Sequence, residues 1–298
     1  MSEVRQRWRL IFARGEEARY LSHLDAVRLW ERAFRRGEIP IATTEGFSPR
    51  PRLVFAAPLP LGMLAEHELA DLFLAERLTI PDLRDQLAGG MPRGYRIVDL
   101  HDVWIGAPAL APQLAAADYR MTLSNVGEGR LASAAARLMQ AERLPRKRRK
   151  EARSIAYDLR PLLLDLRVGP ADSPAAQPEA ASVEAASLWM RLRHSQDRGS
   201  GRADEVVAAL ADEIGLRADL LPEEGEGVEG PGRAAATQGA EVTEAAPGAP
   251  GAAQAPLTSE PPGAAVTSRN AGQGAARNML EVVRPVRERL WLAAELEP

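Results

Sequence analysis

The residues best suited to chemistry lie between positions 20 and 62, where a histidine, a series of arginines and a constrained aromatic loop follow one another. His23 comes first, directly after Ser22 and close in sequence to Tyr20. An imidazole changes charge near neutral pH. It can take a proton from a ribose 2′-hydroxyl without a metal ion, or donate to a phosphate. The structural alternative is a half-exposed histidine that bonds a nearby backbone carbonyl. Asp25, three positions after Ser22, has capping-box spacing and reads as part of a helix cap rather than a catalytic partner.

Arg28, Arg32, Arg35 and Arg36 come next, at spacings that put all four on one face of a helix. Like charges four residues apart repel by roughly a few tenths of a kcal/mol. A phosphate backbone would relieve that repulsion. Solvation, with Asp25 and Glu31 nearby, would also relieve it. The loop Glu45-Gly46-Phe47-Ser48-Pro49-Arg50-Pro51 combines a permissive glycine, two prolines of fixed φ and an aromatic ring, and Arg52 follows it. An aromatic face beside guanidinium groups is a common platform for single-stranded RNA. A rigid hairpin connection with Phe47 buried would use the same residues. A further run of cations, Arg146, Lys147, Arg148, Arg149 and Lys150, suits a polyanion or a solvated loop.

Several chemistries are not signalled. His67, His101 and His194 stand apart from one another, without metal-ligand spacing. The sequence has no phosphate-binding glycine loop and no nucleophile elbow. It has no cysteine, which removes disulfides, thiolate metal sites and any iron–sulfur cluster held by the chain itself. No cofactor is expected.

These residues need elements to hold them. Arg7 to Arg14 alternates as a strand, with Trp8, Leu10 and Phe12 on one side. Ser22 opens a helix with Leu24, Val27, Trp30 and Phe34 inward, and Gly37 ends it, a usual place for left-handed backbone. Ile39–Thr43 and Leu53–Ala57 read as strands flanking the loop, and His67–Ala75 as another. Ile80–Ala88 reads as a helix capped by Thr79, and Tyr95–Trp104 as the next strand. The order is that of a βαββαβ, ferredoxin-like unit over residues 1–105.

Residues 106–115 read as an Ala/Pro linker. A second, degenerate unit is expected over 116–221. It comprises strand Asp118–Leu123, helix Gly129–Glu142, an irregular basic segment 143–153, a helix or turn at Asp158–Leu166, strand Val183–His194 and helix Arg202–Ile214. Residues 222–276 are rich in Ala, Gly and Pro, lack aromatics, and are expected to be disordered. Residues 277–298 then supply a closing strand at Val286–Ala293. The fold class is therefore α+β, as tandem ferredoxin-like units with a disordered insertion.

The formal net charge is -3, yet residues 222–276 hold seven acids and two bases, so the rest of the chain carries +2. Only Lys147 and Lys150 are lysines among 38 basic residues, and guanidinium forks suit phosphates and base edges. No apolar run is long enough to span a membrane. The segment MSEVRQRWRLIF places charge where a signal peptide needs unbroken apolar sequence. A cytoplasmic protein is the expectation.

The stretches SHLD (22–25), RAFRR (32–36), GFSPRP (46–51) and PLPLG (58–62) resemble the signature of the radical-SAM-associated proteins of unknown function. These occur alone or fused behind radical SAM proteins. The likeness is close over 7–105 and weaker over 116–214, where YDLRPLLLDL resembles a family segment. Arg287–Leu292 resembles the family's closing strand. The resemblance implies a radical SAM protein as partner and names no activity. It also has a limit: with no cysteine, this chain cannot carry radical SAM chemistry itself.

The favoured expectation is a non-catalytic protein that binds transfer or ribosomal RNA for a radical SAM modification enzyme. Arg28, Arg32, Arg35, Arg36, Phe47, Arg50, Arg52, Arg146, Lys147, Arg148 and Arg149 would make the contact. Two alternatives remain open: a metal-independent endoribonuclease using His23, and a protein-interaction module without RNA.

Overall fold

A computed structural model describes residues 3–45, 47, 49–150, 153–171, 184–195, 197–219 and 279–296. The first half of the chain forms β1 (Gln6–Arg14), α1 (His23–Arg36), β2 (Leu53–Phe55), β3 (Leu64–Leu74), α2 (Ile80–Gly90) and β4 (Tyr95–Val103). The second half forms β5 (Leu114–Ser124), α3 (Glu128–Gln140), β6 (Pro145–Lys150), β7 (Arg153–Asp158), β8 (Leu163–Pro170), β9 (Ala185–Ser195), β10 (Gly199–Ser200), α4 (Ala203–Ile214), β11 (Arg217–Asp219) and β12 (Met279–Leu292). The fold is mixed α+β, built on one large, mostly antiparallel sheet.

That sheet runs β10-β9-β5-β12-β3-β1-β4, with β8 also on β9, β2 also on β3 and β11 also on β12. Among the described residues, only the ladders of β12 with β3 and with β11 are parallel. The two halves use the same strand order, β2-β3-β1-β4 and β8-β9-β5-β12. They join through Val286 and Arg287 of β12, which pair with Leu64 and Ala65 of β3.

Alternation explains the layers. On β1, Trp8, Leu10 and Phe12 pack with Leu72 and Leu74 of β3, Trp30 and Phe34 of α1, and Leu83 and Leu87 of α2. On β5, Ala117, Tyr119, Met121 and Leu123 pack with Leu131 and Leu138 of α3 and Leu210 of α4. The register places Phe12 beside Glu68, Arg14 beside Ala65, Ala65 beside Arg287, and Arg287 beside Tyr119. Neighbours in register share a face, so both helix pairs cover the same side of the sheet. The other side is polar. Arg7 and Arg9 pair with Asp71 there, and Arg191 pairs with Asp118.

Several expected elements differ. Ile39–Thr43 forms only isolated bridges, Ile41 to Leu74 and Thr43 to Pro51. Pro40 inside that stretch has no N–H to give a ladder. The basic segment is an ordered hairpin, β6 against β7, in its own two-stranded sheet. Residues 158–166 hold a short 3-10 turn at Arg160–Leu162 and then enter β8, where a helix or turn was expected. The expected linker 106–115 is anchored by buried Leu110 and already enters β5 at Leu114. The closing strand starts at Met279, seven residues before the expected Val286. The segment 222–276 lies outside the described residues.

Candidate nucleic-acid surface and junction cleft

Ser22 caps α1: its Oγ accepts from the Asp25 N–H at 3.2 Å and donates to the Asp25 carboxylate at 2.8 Å. The buried face is Ala26, Trp30, Ala33 and Phe34, so Leu24, read as inward from sequence, is exposed. Gly37 ends the helix with φ -79°, and the left-handed residue is Glu38, at φ 53°. Glycine is needed at 37 for a different reason. A Cβ there would overlap the Gln86 carbonyl oxygen of α2, and one at Gly90 would overlap that of Ala33. The two helices touch backbone to backbone.

This contact leaves the arginine face outward. Arg28, Arg32, Arg35 and Arg36 are all exposed. Arg28 reaches Asp25 at 3.4 Å and Arg36 donates to the Gly90 carbonyl at 3.0 Å. Among the described residues no carboxylate pairs with Arg32 or Arg35.

The loop beyond α1 is a stapled hairpin. Its base is closed by the Thr44 N–H on the Arg50 carbonyl at 2.8 Å, and the Arg50 N–H donates to Thr44 Oγ1 at 3.1 Å. Phe47 is fully exposed at the tip, so the alternative with a buried ring does not hold. Gly46 and Ser48 lie outside the described residues. Arg50 is exposed. Arg52 turns away and stacks on Phe73 at 4.5 Å. Phe73 alternates with Leu72 and Leu74, so Arg52 lies on the polar side of the sheet, opposite α1. The hairpin β6–β7 is also separate: Arg146 pairs with Asp212 of α4, and Arg148 lies 5.6 Å over Tyr157. Lys147 is exposed. The side chains of Arg149 and Lys150 are outside the described ones. The expected contact residues therefore occupy at least three surfaces, and the four arginines of α1 are the set that one element holds together.

His23 heads α1, its ring edge-on to Phe55 at 5.6 Å. It lines a small cavity with Phe12, Arg14, Phe55, Glu68 and Tyr95. Arg14 and Tyr95 also line a larger cleft of about 370 Å³, with Glu17, Glu66, Arg96, Arg284 and Val286. This cleft sits where the halves join. Burial holds the Tyr95 phenol above its ordinary range, so it stays protonated, and burial likewise lowers Arg14. From sequence no site role was assigned to Arg14, Glu68 or Tyr95, and Arg287 entered only as the start of a segment resembling the family's closing strand. In β1 the alternation of Trp8, Leu10 and Phe12 continues to position 14 and assigns an inward side chain there. An arginine at an inward position was the available signal.

Helices on one side of a mostly antiparallel sheet, with a polar opposite side and a cleft at the junction, define the class as α+β. Over residues 7–199 the chain matches the family described as "Uncharacterized protein conserved in bacteria (DUF2344)", and it belongs to that family. No curated protein matches it. Among matching solved structures is an unknown protein from Galdieria sulphuraria, 14% identical over 70% of this chain and 91% of that one, with a TM-score of 0.22. At that score the likeness has no bearing on fold or function. Among the described residues, no helix is long and apolar enough to cross a membrane.

Proposed function

We propose that the chain is a non-catalytic RNA-binding protein that presents transfer or ribosomal RNA to a radical SAM modification enzyme in the cytoplasm. Its contact surface is the outer face of α1 together with the hairpin tip. One observation carries the reading: Phe47 stands fully exposed on a stapled loop with Arg50 exposed beside it. An exposed ring loses its hydration shell favourably against a base, and neighbouring guanidiniums hold the phosphates. The radical SAM partner rests on the resemblance of SHLD, RAFRR, GFSPRP and PLPLG. The repeated strand order supports reading each half as a ferredoxin-like unit. The test is binding of labelled transfer RNA and of a single-stranded oligonucleotide across a salt series, by fluorescence anisotropy. Affinity should fall steeply with salt, and the Arg28→Ala, Arg32→Ala double variant should flatten that dependence. A salt-independent affinity, or no change in the variant, removes the reading.

A second reading has its own observation. His23 shares a cavity wall with Glu68, Tyr95 and Arg14. In an endoribonuclease of this kind His23 would take the 2′-hydroxyl proton, the 2′-oxygen would attack phosphorus to close a 2′,3′-cyclic phosphate, and the 5′-oxygen would leave as a hydroxyl with a proton from water. Cleavage in EDTA that His23→Ala abolishes would establish it. Intact RNA after long incubation with wild-type protein would exclude it.

A further inference from the structure

Three arginines are buried among the described residues: Arg7, Arg14 and Arg287. Arg7 is neutralised by Asp71 and Arg287 by Glu68. Arg14 has no carboxylate partner there. Its terminal nitrogens donate to the carbonyls of Leu21, Pro60 and Met63, and its Nε has no partner. The carbonyl dipoles, the Tyr95 phenol and the more distant Glu68, already paired with Arg287, offset the Arg14 charge only in part, and a buried charge without its own carboxylate is costly. An anion in contact with that region would remove the cost.

The junction cleft offers the place for one. Arg14 is in its wall, and Arg96 and Arg284 line it from β4 and β12. Both of these are exposed, and no carboxylate pairs with either among the described residues. Of the two lining acids, Glu66 is held by Arg120 at 3.0 Å, but Arg120 is shared with Glu288 at 2.6 Å, so Arg14, Arg96, Arg284 and Arg120 face Glu17, Glu66 and Glu288. The surplus is about one positive charge, so the cleft favours an anion, and the guanidinium forks of Arg96 and Arg284 suit the oxygens of a phosphate monoester.

The backbone leaves the space open. β12 pairs with β11 through Met279–Glu281 and with β3 through Val286 and Arg287. Between them, residues 282–285 form no ladder on that edge among the described residues. A cleft of 370 Å³ is at the small end of ligand sites, about 300 to 1,000 Å³, and suits a mononucleotide-sized group.

We propose that this cleft binds a phosphate monoester, gripped by Arg96 and Arg284 with the charge of Arg14 behind them. The site is separate from the α1 surface, so it stands or falls independently of RNA binding there.

The experiment is isothermal titration of the full chain with AMP, inorganic phosphate and adenosine. A 5′-phosphorylated RNA oligonucleotide and its 5′-hydroxyl form are titrated alongside. Phosphate-bearing probes should bind saturably and adenosine should not. Arg96→Ala and Arg284→Ala, both at exposed positions, should each weaken binding by about tenfold. Arg28→Ala with Arg32→Ala should leave AMP binding unchanged. Preference for AMP assigns the monoester to a free nucleotide, and preference for the phosphorylated oligonucleotide assigns it to an RNA end. Adenosine binding as tightly as AMP, AMP binding unaffected by both cleft variants, or no binding of any phosphate probe at millimolar concentration would overturn the proposal.

Discussion

Arg287, on the last strand of the chain, donates to both carboxylate oxygens of Glu68, 219 positions earlier, with the Nε bond at 2.6 Å. The same guanidinium reaches the carbonyl of Pro58 at 3.1 Å. Both side chains are only 3% exposed, so this pair fastens the two halves from inside. Removing one partner of a buried pair strands the other charge, at a cost of about 3 to 5 kcal/mol. Glu68→Ala should therefore lower unfolding stability by that amount in urea titration. Replacing both residues by leucine should recover most of it, because no charge is then left unpaired. Equal loss in the single and double variants would show that packing, not charge, holds the junction.

His194, on β9 of the second half, gives the fold a pH dependence. Burial, with a smaller contribution from the positive charge of Arg287, pushes its pKa from 6.5 down to about 4. Its Nδ1 lies 2.6 Å from Ser200 Oγ. Between these pH values the unfolded chain holds the extra proton and the fold does not. Stability therefore rises with pH across that window. The contribution is fully present above pH 6.5 and is lost as pH falls towards 4. A change of that size corresponds to up to about 3 kcal/mol. His194→Gln should flatten the stability profile between pH 4 and 6.5 when denaturation is followed at several pH values.

The α1–α2 contact makes opposite predictions for neighbouring glycines. A Cβ at Gly90 would run into the Ala33 carbonyl, whereas one at Gly89 meets nothing within 4 Å. Gly90→Ala should destabilise by about 1 to 3 kcal/mol, the usual cost of overpacking. Gly89→Ala should stabilise by roughly 0.5 to 1 kcal/mol through helix propensity. Thermal melts of the two variants shifting in the same direction would contradict the close approach.

How much of this was legible depends on the range of the interaction. The cap at Ser22, and the alternation of Trp8, Leu10 and Phe12, are local and were readable. β8 was not, because Leu162, Leu163, Leu164 and Leu166 form an apolar run without strand or helix period. β12 was read too short because Leu280 and Val282 follow directly on the Ala/Gly/Pro-rich stretch. The partners of Arg7, Arg14 and Arg287 are set entirely by tertiary contacts. The α1 arginine face was readable from spacing. Its separation from Arg52 and Arg146 was not, because it depends on which side of the sheet Phe73 occupies and on Asp212 holding the hairpin β6–β7.

That separation sharpens the prediction for RNA. If α1 is the contact element, its exposed arginines each neutralise about one phosphate, and each contributes about 0.7 to the salt slope on a single strand. Arg32→Ala with Arg35→Ala should lower the slope by about 1.4 and weaken binding similarly for all sequences. These two serve the purpose because no carboxylate pairs with either among the described residues, so their loss leaves no acid stranded. Phe47→Ala should behave differently. It removes a stacking face worth about 1 to 3 kcal/mol and leaves the salt slope unchanged. Arg146→Ala should leave RNA affinity unchanged, since that side chain is already held by Asp212. Anisotropy titrations at four salt concentrations separate the three outcomes. A slope that responds to Arg146→Ala but not to the α1 variants would move the contact surface to the β6–β7 hairpin.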